Sequence, residues 1–330
     1  MRIDEGSTVA ITGVGGFIGQ RIASRMRARG ARVRGLDHAP AALARAVSLG
    51  VQARAGDVCD PEAVAWLCDG ATAVIHTAAV VGEGGDRALY DRVNVGGARA
   101  VLEGARRAGA ALVHLSSVMV YGFEYPDGVT EEGPFRGEGN AYCESKLEGD
   151  RAVLAAAREG SARAAVVRPG DVYGVGSVPW VERPLGLMRR GLFVLPDDGR
   201  GLLNHVHVEN LVDAIESVLA RDAWGRAFNV TDGRRTRCRE YFDLLAAATG
   251  LGAPRALPSW LLRPAFDLLA VGARAIGRAP LATGEAVAFL TRPGVYAIDR
   301  ARSELGFSPR ISLEEGLAEL SAARGAPPRS

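Results

Sequence analysis

The sequence predicts an α/β protein: a doubly wound parallel sheet with a smaller, mainly helical C-terminal lobe. Three observations carry this. The first half alternates between short β-branched runs and helical stretches, and a glycine-rich turn directly follows the first of those runs. After Arg168 the rhythm breaks, and Pro169, Pro179, Pro184 and Pro196 punctuate loops and short helices. Strict alternation of strand and helix builds βαβ units, whose parallel sheet is covered on both faces.

Taken in order, TVAIT at 8–12 is a strand ending in the glycine turn, and 17–29 is a helix closed by Gly30. Strands follow at 32–36, 51–55, 73–76, 111–116 and 164–168. Helices lie between them at 41–49, 61–68, 86–108 and 141–158, with Pro61 in a first turn. Helix 208–220 and strand 227–230 look like a return to the main sheet. Residues 1–175, with 204–230, are therefore assigned to the sheet domain. Residues 176–203 and 231–330 are assigned to a lobe over the strands' C-terminal ends, where ligands of such sheets bind.

The composition fits an ordinary globular chain. Of 330 residues, 48% are hydrophobic and 24% charged, and a net charge of +2 is too balanced to advertise a nucleic-acid partner. Cys59, Cys68, Cys143 and Cys238 lack CxxC or Cys/His spacing and read as reduced thiols of a cytoplasmic protein. No signal peptide fits ahead of the strand at Thr8. The apolar stretch 260–277 contains Arg263, Asp267 and Arg274, which spoils a membrane span. Those charges share one helix side, so the segment is expected to pack amphipathically on the core, a peripheral membrane or lid role being the alternative. Among 40 Lys and Arg residues, Lys146 is the single Lys.

The glycine turn reads Gly13-Val14-Gly15-Gly16-Phe17-Ile18-Gly19. Gly13, Gly16 and Gly19 between a buried strand and a helix allow a tight turn, backbone N–H contact with a pyrophosphate, and close packing of helix on sheet. This is a dinucleotide-binding, Rossmann-type arrangement. Asp37 ends the second strand, where a carboxylate accepts from both ribose hydroxyls and repels a 2′-phosphate. NAD is thus favoured over NADP, with Arg32 and Arg34 nearby as the opposing signal. Asp57 and Val58, after the third strand, are placed to meet the adenine.

Tyr142 and Lys146 stand four apart on one helix face. A phenol titrates near ~10 and is a poor acid or base at neutral pH. A fixed ammonium beside it is expected to lower that value by roughly 1–3. Arg would supply the charge as a flat fork rather than a compact group able to hold a ribose hydroxyl.

TGVGGFIG (12–19), HTAA (76–79), LSSVMVYG (115–122), YCESK (142–146) and RPGDVYG (168–174) resemble, in order and spacing, the extended short-chain dehydrogenase/reductase family. The resemblance spans essentially the whole chain. It implies a nicotinamide cofactor and a Ser-Tyr-Lys catalytic set, which falls on Ser117, Tyr142 and Lys146. Asn94 matches the Asn of the family's central helix, whose role is more structural than chemical. Thr77, Ala78, Ala79, Pro169, Gly170 and Val172 are expected to line the cofactor. Val81, Val118, Met119 and Tyr173 are expected to meet substrate. A homodimer through helices 86–108 and 141–158 is likewise implied.

Within the family, the apolar 256–290 region, HVENLVDA and RPGVYAIDRARSELGFSPRISLEEGL look like the 3β-hydroxysteroid dehydrogenase-like branch. That branch implies interconversion of a secondary alcohol and a ketone on a hydrophobic substrate. Nucleotide-sugar epimerases and dehydratases are the alternative. They usually carry Asn where Asp171 stands, and an acid there meets a substrate diphosphate unfavourably. They also tend to place Arg where this chain has Leu203, although Arg200 is a nearby substitute. A third alternative is an NAD(P)-sensing protein without catalysis, but such relatives generally lose the Tyr or the Lys. His205 and His207 are expected to be positioning or surface groups rather than metal ligands.

Overall fold

The structure is a computed structural model and describes residues 1–82, 86–137, 139–275 and 282–323. Five strands of the first half, β1 (Thr8–Thr12), β2 (Arg32–Asp37), β3 (Gln52–Ala55), β4 (Ala73–His76) and β5 (Ala111–Leu115), lie where the apolar runs predict. So does β6 (Ala164–Pro169). Between them run α1 (Phe17–Ala28), α2 (Pro40–Ser48), α3 (Pro61–Cys68), α4 (Arg87–Tyr90), α5 (Gly97–Arg107) and α6 (Ala141–Arg158). A π-helical turn, Asp91–Gly96, joins α4 to α5, so the single long helix predicted over 86–108 carries an inserted turn centred on Asn94.

Every residue of β1, β4, β5 and β6 is buried, as strands covered on both faces require, whereas edge strand β3 is largely exposed. Caps fix the helix starts: Asp60 Oδ1 accepts from Glu62 N at 3.0 Å, and Asn140 Oδ1 accepts from Cys143 N at 3.0 Å.

The second half contributes β7 (Asp171–Tyr173), α7 (Arg183–Arg189), β8 (Val194–Pro196), β9 (Leu202–Leu203), β10 (His205–His207), α8 (Val208–Ala220) and β11 (Ala227–Val230). It continues with β12 (Thr236–Arg237), α9 (Cys238–Ala248), β13 (Arg255–Leu257), α10 (Ser259–Ala275), α11 (Gly284–Leu290), α12 (Asp299–Leu305) and α13 (Leu313–Ala323). The main sheet is parallel in the order β11-β6-β5-β4-β1-β2-β3. Strand order reverses between β1 and β4, and the crevice at that switch point is the expected ligand site. Helix α8 packs on this core through Leu211, Val212, Ile215 and Val218. Arg25 of α1 ties to it through Glu209 at 2.8 Å and through Asp213 and Glu216 at 2.7 Å.

The lobe has its own core, with Val181, Leu185, Leu195, Tyr241, Phe242, Leu245 and Leu317 packed together. Two placements differ from expectation. Ile298, Ala301, Leu305 and Phe307 pack into the main-sheet core, so the α12 region belongs to the first domain despite its late position. Helix α10 buries only a narrow stripe, with Leu262 and Ala270 inward, while Trp260, Leu261, Leu268, Leu269 and Val271 are exposed. Its broad apolar face is therefore not packed on the core, because α11 covers only one side of the helix. Residues 276–277 of the expected amphipathic stretch, and the terminal Gly-Ala-Pro-Pro segment, lie outside the described residues.

Candidate active site

The glycine turn forms a cradle at the C-terminal end of β1. Gly13 adopts φ +64° and its N–H donates to the Leu36 carbonyl at 2.8 Å. A Cβ at Gly19 would lie 2.2 Å from the Gly13 oxygen, so α1 approaches the turn this closely only with glycine there. Gly16 is the N-cap of α1, no side chain caps that helix, and its first turn holds no acid. The N–H groups at Phe17, Ile18 and Gly19 thus open toward the cradle, an arrangement suited to a pyrophosphate.

Asp37 is buried at the rim. Its Oδ2 accepts from Gly15 N at 3.0 Å and its Oδ1 from Ala39 N at 3.2 Å. The two arginines that argued for a 2′-phosphate are turned elsewhere. Arg34 donates to the Trp66 and Asp69 carbonyls at 2.8 and 2.7 Å, and Arg32 to Thr8 Oγ1 at 3.3 Å. Arg45, which the sequence did not single out, donates to the Gly15 carbonyl at 3.0 Å. Asp57 accepts from Cys59 N at 2.9 Å and pairs with Arg92 at 2.6 Å. Those two contacts, the backbone one foremost, hold its carboxyl below the usual range. Val58 is buried in the core beside Gly97.

The next strand end is held by Thr12, whose Oγ1 accepts from Thr77 N at 3.1 Å and Ala78 N at 3.2 Å. The same oxygen meets His76 Nδ1 at 2.7 Å. Ala79 continues this segment. Asn94 spends its whole amide on positioning: Oδ1 accepts from Val80 N at 2.8 Å, while Nδ2 donates to Val80 O at 3.1 Å and Ser145 Oγ at 3.0 Å. It ties the HTAA loop to α6. Pro169 ends β6, Gly170 N donates to Val230 O at 3.0 Å, and Val172 sits in β7.

Ser117 follows β5, is buried, and its Oγ accepts from Met119 N at 3.1 Å. Tyr142 lies in the first turn of α6, where Ser117 exerts a lowering influence on its phenol. Lys146, one turn on, is buried and donates from Nζ to the Leu115 carbonyl at 2.7 Å. Burial pushes the ammonium down to about 8, against a raising influence from Asp150. The Tyr142 phenol is pushed up to about 12 by burial, which outweighs the lowering influence of Ser117. That corrects the expected depression. The cost of burying a phenolate dominates, and the Lys146 ammonium is committed to a backbone carbonyl.

The expected substrate residues separate. Val81 is exposed just after the HTAA loop, whereas Val118 and Met119 are buried in the short 3₁₀ turn (Val118–Tyr121) after Ser117. Tyr173 is also buried: its hydroxyl donates to Ser312 O at 3.2 Å and its ring packs on His205, His207 and Tyr241. It belongs to the lobe core, because β7 pairs with β10 and turns it inward. Two adjoining cavities of about 600 and 450 Å³ open where the lobe faces this turn. Phe123, Trp260 and Val287 line the smaller, and Arg292 and Leu257 line the larger. Arg292 is a residue that sequence reasoning missed.

His205 is fixed by Asp232 at 3.1 Å and Thr236 at 2.9 Å, and His207 N-caps α8; both are buried positioning groups. The cysteines are free thiols, three of them buried. Among the described residues, no group of three or more His, Cys, Asp or Glu is placed to hold a metal ion, and no helix is long and apolar enough to cross a membrane.

The chain is similar to proteins of known family. A family model, "NAD dependent epimerase/dehydratase family", matches residues 9–231. A 2-alkyl-3-oxoalkanoate reductase of Stenotrophomonas maltophilia is 30% identical, over 96% of this chain and 99% of the relative. A 3 beta-hydroxysteroid dehydrogenase/Delta 5→4-isomerase of Mycobacterium tuberculosis is 27% identical, over 94% and 88%. Among solved structures, MoeE5 in complex with UDP-glucose and NAD superposes with a TM-score of 0.75 at 25% identity, over 97% of this chain and 99% of that one.

Proposed function

The chain belongs to the NAD dependent epimerase/dehydratase family, and from that premise we propose that it is a dehydrogenase/reductase interconverting a secondary alcohol and a ketone on a hydrophobic substrate, with NAD as cofactor. The observation that carries this is the placing of Lys146, bonded to the Leu115 carbonyl just before Ser117 and one helical turn from Tyr142, with Phe123 of the same post-β5 segment in the wall of a lobe cavity beside Trp260 and Val287. When bound, the nicotinamide exchanges a hydride with the substrate carbon. Every other part of the step falls to this chain. Ser117 hydrogen-bonds the substrate oxygen and fixes its position. Tyr142, protonated at neutral pH, donates its proton to that oxygen as the ketone is reduced and recovers it in the reverse direction. Lys146, one helical turn from Tyr142, would have to leave the Leu115 carbonyl when cofactor binds, and would then hold the nicotinamide ribose and sustain the phenolate left after proton transfer.

The cradle fits NAD. Asp37 closes the ribose position with a buried carboxylate, and Arg32 and Arg34 are engaged elsewhere. The reductase and steroid dehydrogenase relatives support an apolar ketone. A nucleotide-sugar substrate is the second hypothesis, supported by the likeness to MoeE5. Replacing Tyr142 with Phe is expected to abolish ketone turnover while leaving NAD affinity within about twofold; retained activity rejects the mechanism. We also propose a homodimer through the α4–α5 and α6 helices and a peripheral lipid contact through the exposed face of α10. Sedimentation of the protein alone and with phosphatidylcholine/phosphatidylglycerol vesicles tests both, a vesicle-free monomer under both conditions refuting them.

A further inference from the structure

Arg292 is 1% exposed, yet it borders the larger cavity together with Thr291 and Pro293, facing Asp197, Asp198 and Arg200. Its Nε donates to the Phe289 carbonyl at 2.9 Å, and its guanidinium lies over the Phe289 ring. Its Nη2 is paired with the Asp171 carboxylate. Its Nη1 has no partner among the described residues. Asp171 is buried too, and its Oδ2 also accepts from Asn204 N at 2.9 Å. Asp171 opens β7, directly after the Pro169–Gly170 segment that ends β6.

A buried guanidinium needs a counter-charge, supplied either by the chain or by a ligand. We propose that Asp171 is the built-in counter-ion of Arg292, filling the place an anionic substrate group would take, so that the cavity selects uncharged substrates and rejects diphosphates. The neutral pair leaves the two N–H groups of Nη1 for an acceptor oxygen such as a carbonyl or hydroxyl. A dianion approaching Arg292 would meet the Asp171 carboxylate at close range, a contact that disfavours binding. Arg200, the other cation of this cavity, is exposed and lies within electrostatic reach of Asp197. An Asn at 171 would preserve the acceptor oxygen while removing the charge, leaving Arg292 uncompensated. This inference rests on the proposed apolar-ketone function and names the device that enforces it.

The test is isothermal titration calorimetry of the NAD-saturated protein, which keeps the glycine cradle filled, with inorganic pyrophosphate and with UDP as probes. Wild type is expected to bind both weakly. Asp171→Asn should bind them at least about tenfold more tightly, since a full unit charge is unmasked at hydrogen-bond range. The double variant Asp171→Asn/Arg292→Gln, neutral like the wild-type pair, should return to weak binding. A folded Asp171→Asn without gain overturns the proposal, as does a double variant that keeps the gain. Should Asp171→Asn fail to fold, wild type still decides: micromolar binding of either probe, lost on Arg292→Gln, overturns it. Wild type that reduces no apolar ketone while Asp171→Asn gains the anions would sink the proposed function alone.

Discussion

Replacing Lys146 with Met should make the cofactor-free protein more stable and catalytically dead. The ammonium is buried, and its pKa falls from an ordinary 10.5 to about 8. At about 1.4 kcal/mol per pKa unit, holding it charged at pH 7 costs about 3 kcal/mol. The lost hydrogen bond to Leu115, made at 2.7 Å, returns about 1–2 kcal/mol of that. A net gain of about 1–2 kcal/mol at pH 7 follows. The pH dependence has a definite sign. Below pH 8 the folded and unfolded states both carry the proton, and the penalty is complete. Between about 8 and 10.5 only the unfolded state holds it, so wild-type stability rises toward that of the variant. Urea unfolding of both proteins at pH 7 and pH 10, with turnover measured in parallel, checks this. A variant less stable than wild type at pH 7, or a difference that ignores pH, would refute the account of Lys146 as a costly, functional charge.

Asp37→Ser should raise kcat/KM for NADP relative to NAD by about tenfold or more, because the carboxylate at the cradle rim is removed; steady-state rates with both cofactors check it, and a wild type that already prefers NADP would contradict it. Asp150→Ala should destabilise the fold by roughly 3–5 kcal/mol by denaturant melt. It strips Arg168, 1% exposed and bonded to Asp150 at 2.8 and 2.9 Å, of its buried counter-charge. A loss below about 1 kcal/mol would mean that Tyr121, 2.7 Å away, and the Glu131 carbonyl hold Arg168 by themselves.

Much of this molecule was legible because local rules carry it. Buried strands such as TVAIT, prolines at helix starts and the glycine turn each act within a few residues, so the sheet and the cofactor cradle lie where the sequence placed them. The Tyr142–Lys146 spacing is likewise a matter of one helical turn. Contacts across the chain were not legible. Asp171 stood out as unusual, but its partner lies 121 residues away in the chain, beyond any periodic pattern. The phenol's pKa departs from the sequence expectation for a related reason: charge proximity is visible in a helix, whereas burial depends on everything packed around it. Helix α10 was misread because an amphipathic pattern says which side is polar, not whether the protein supplies a surface for the apolar side.

One cofactor assay decides between NAD-dependent exchange of ketone and alcohol on an apolar substrate and nucleotide-sugar chemistry. NADH oxidation is followed at neutral pH with a panel of long-chain and polycyclic ketones beside UDP- and dTDP-sugars. Turnover of apolar ketones that disappears in Tyr142→Phe, with no conversion of the nucleotide sugars, is the expected result. Conversion of a UDP- or dTDP-sugar with silence toward every ketone would contradict it.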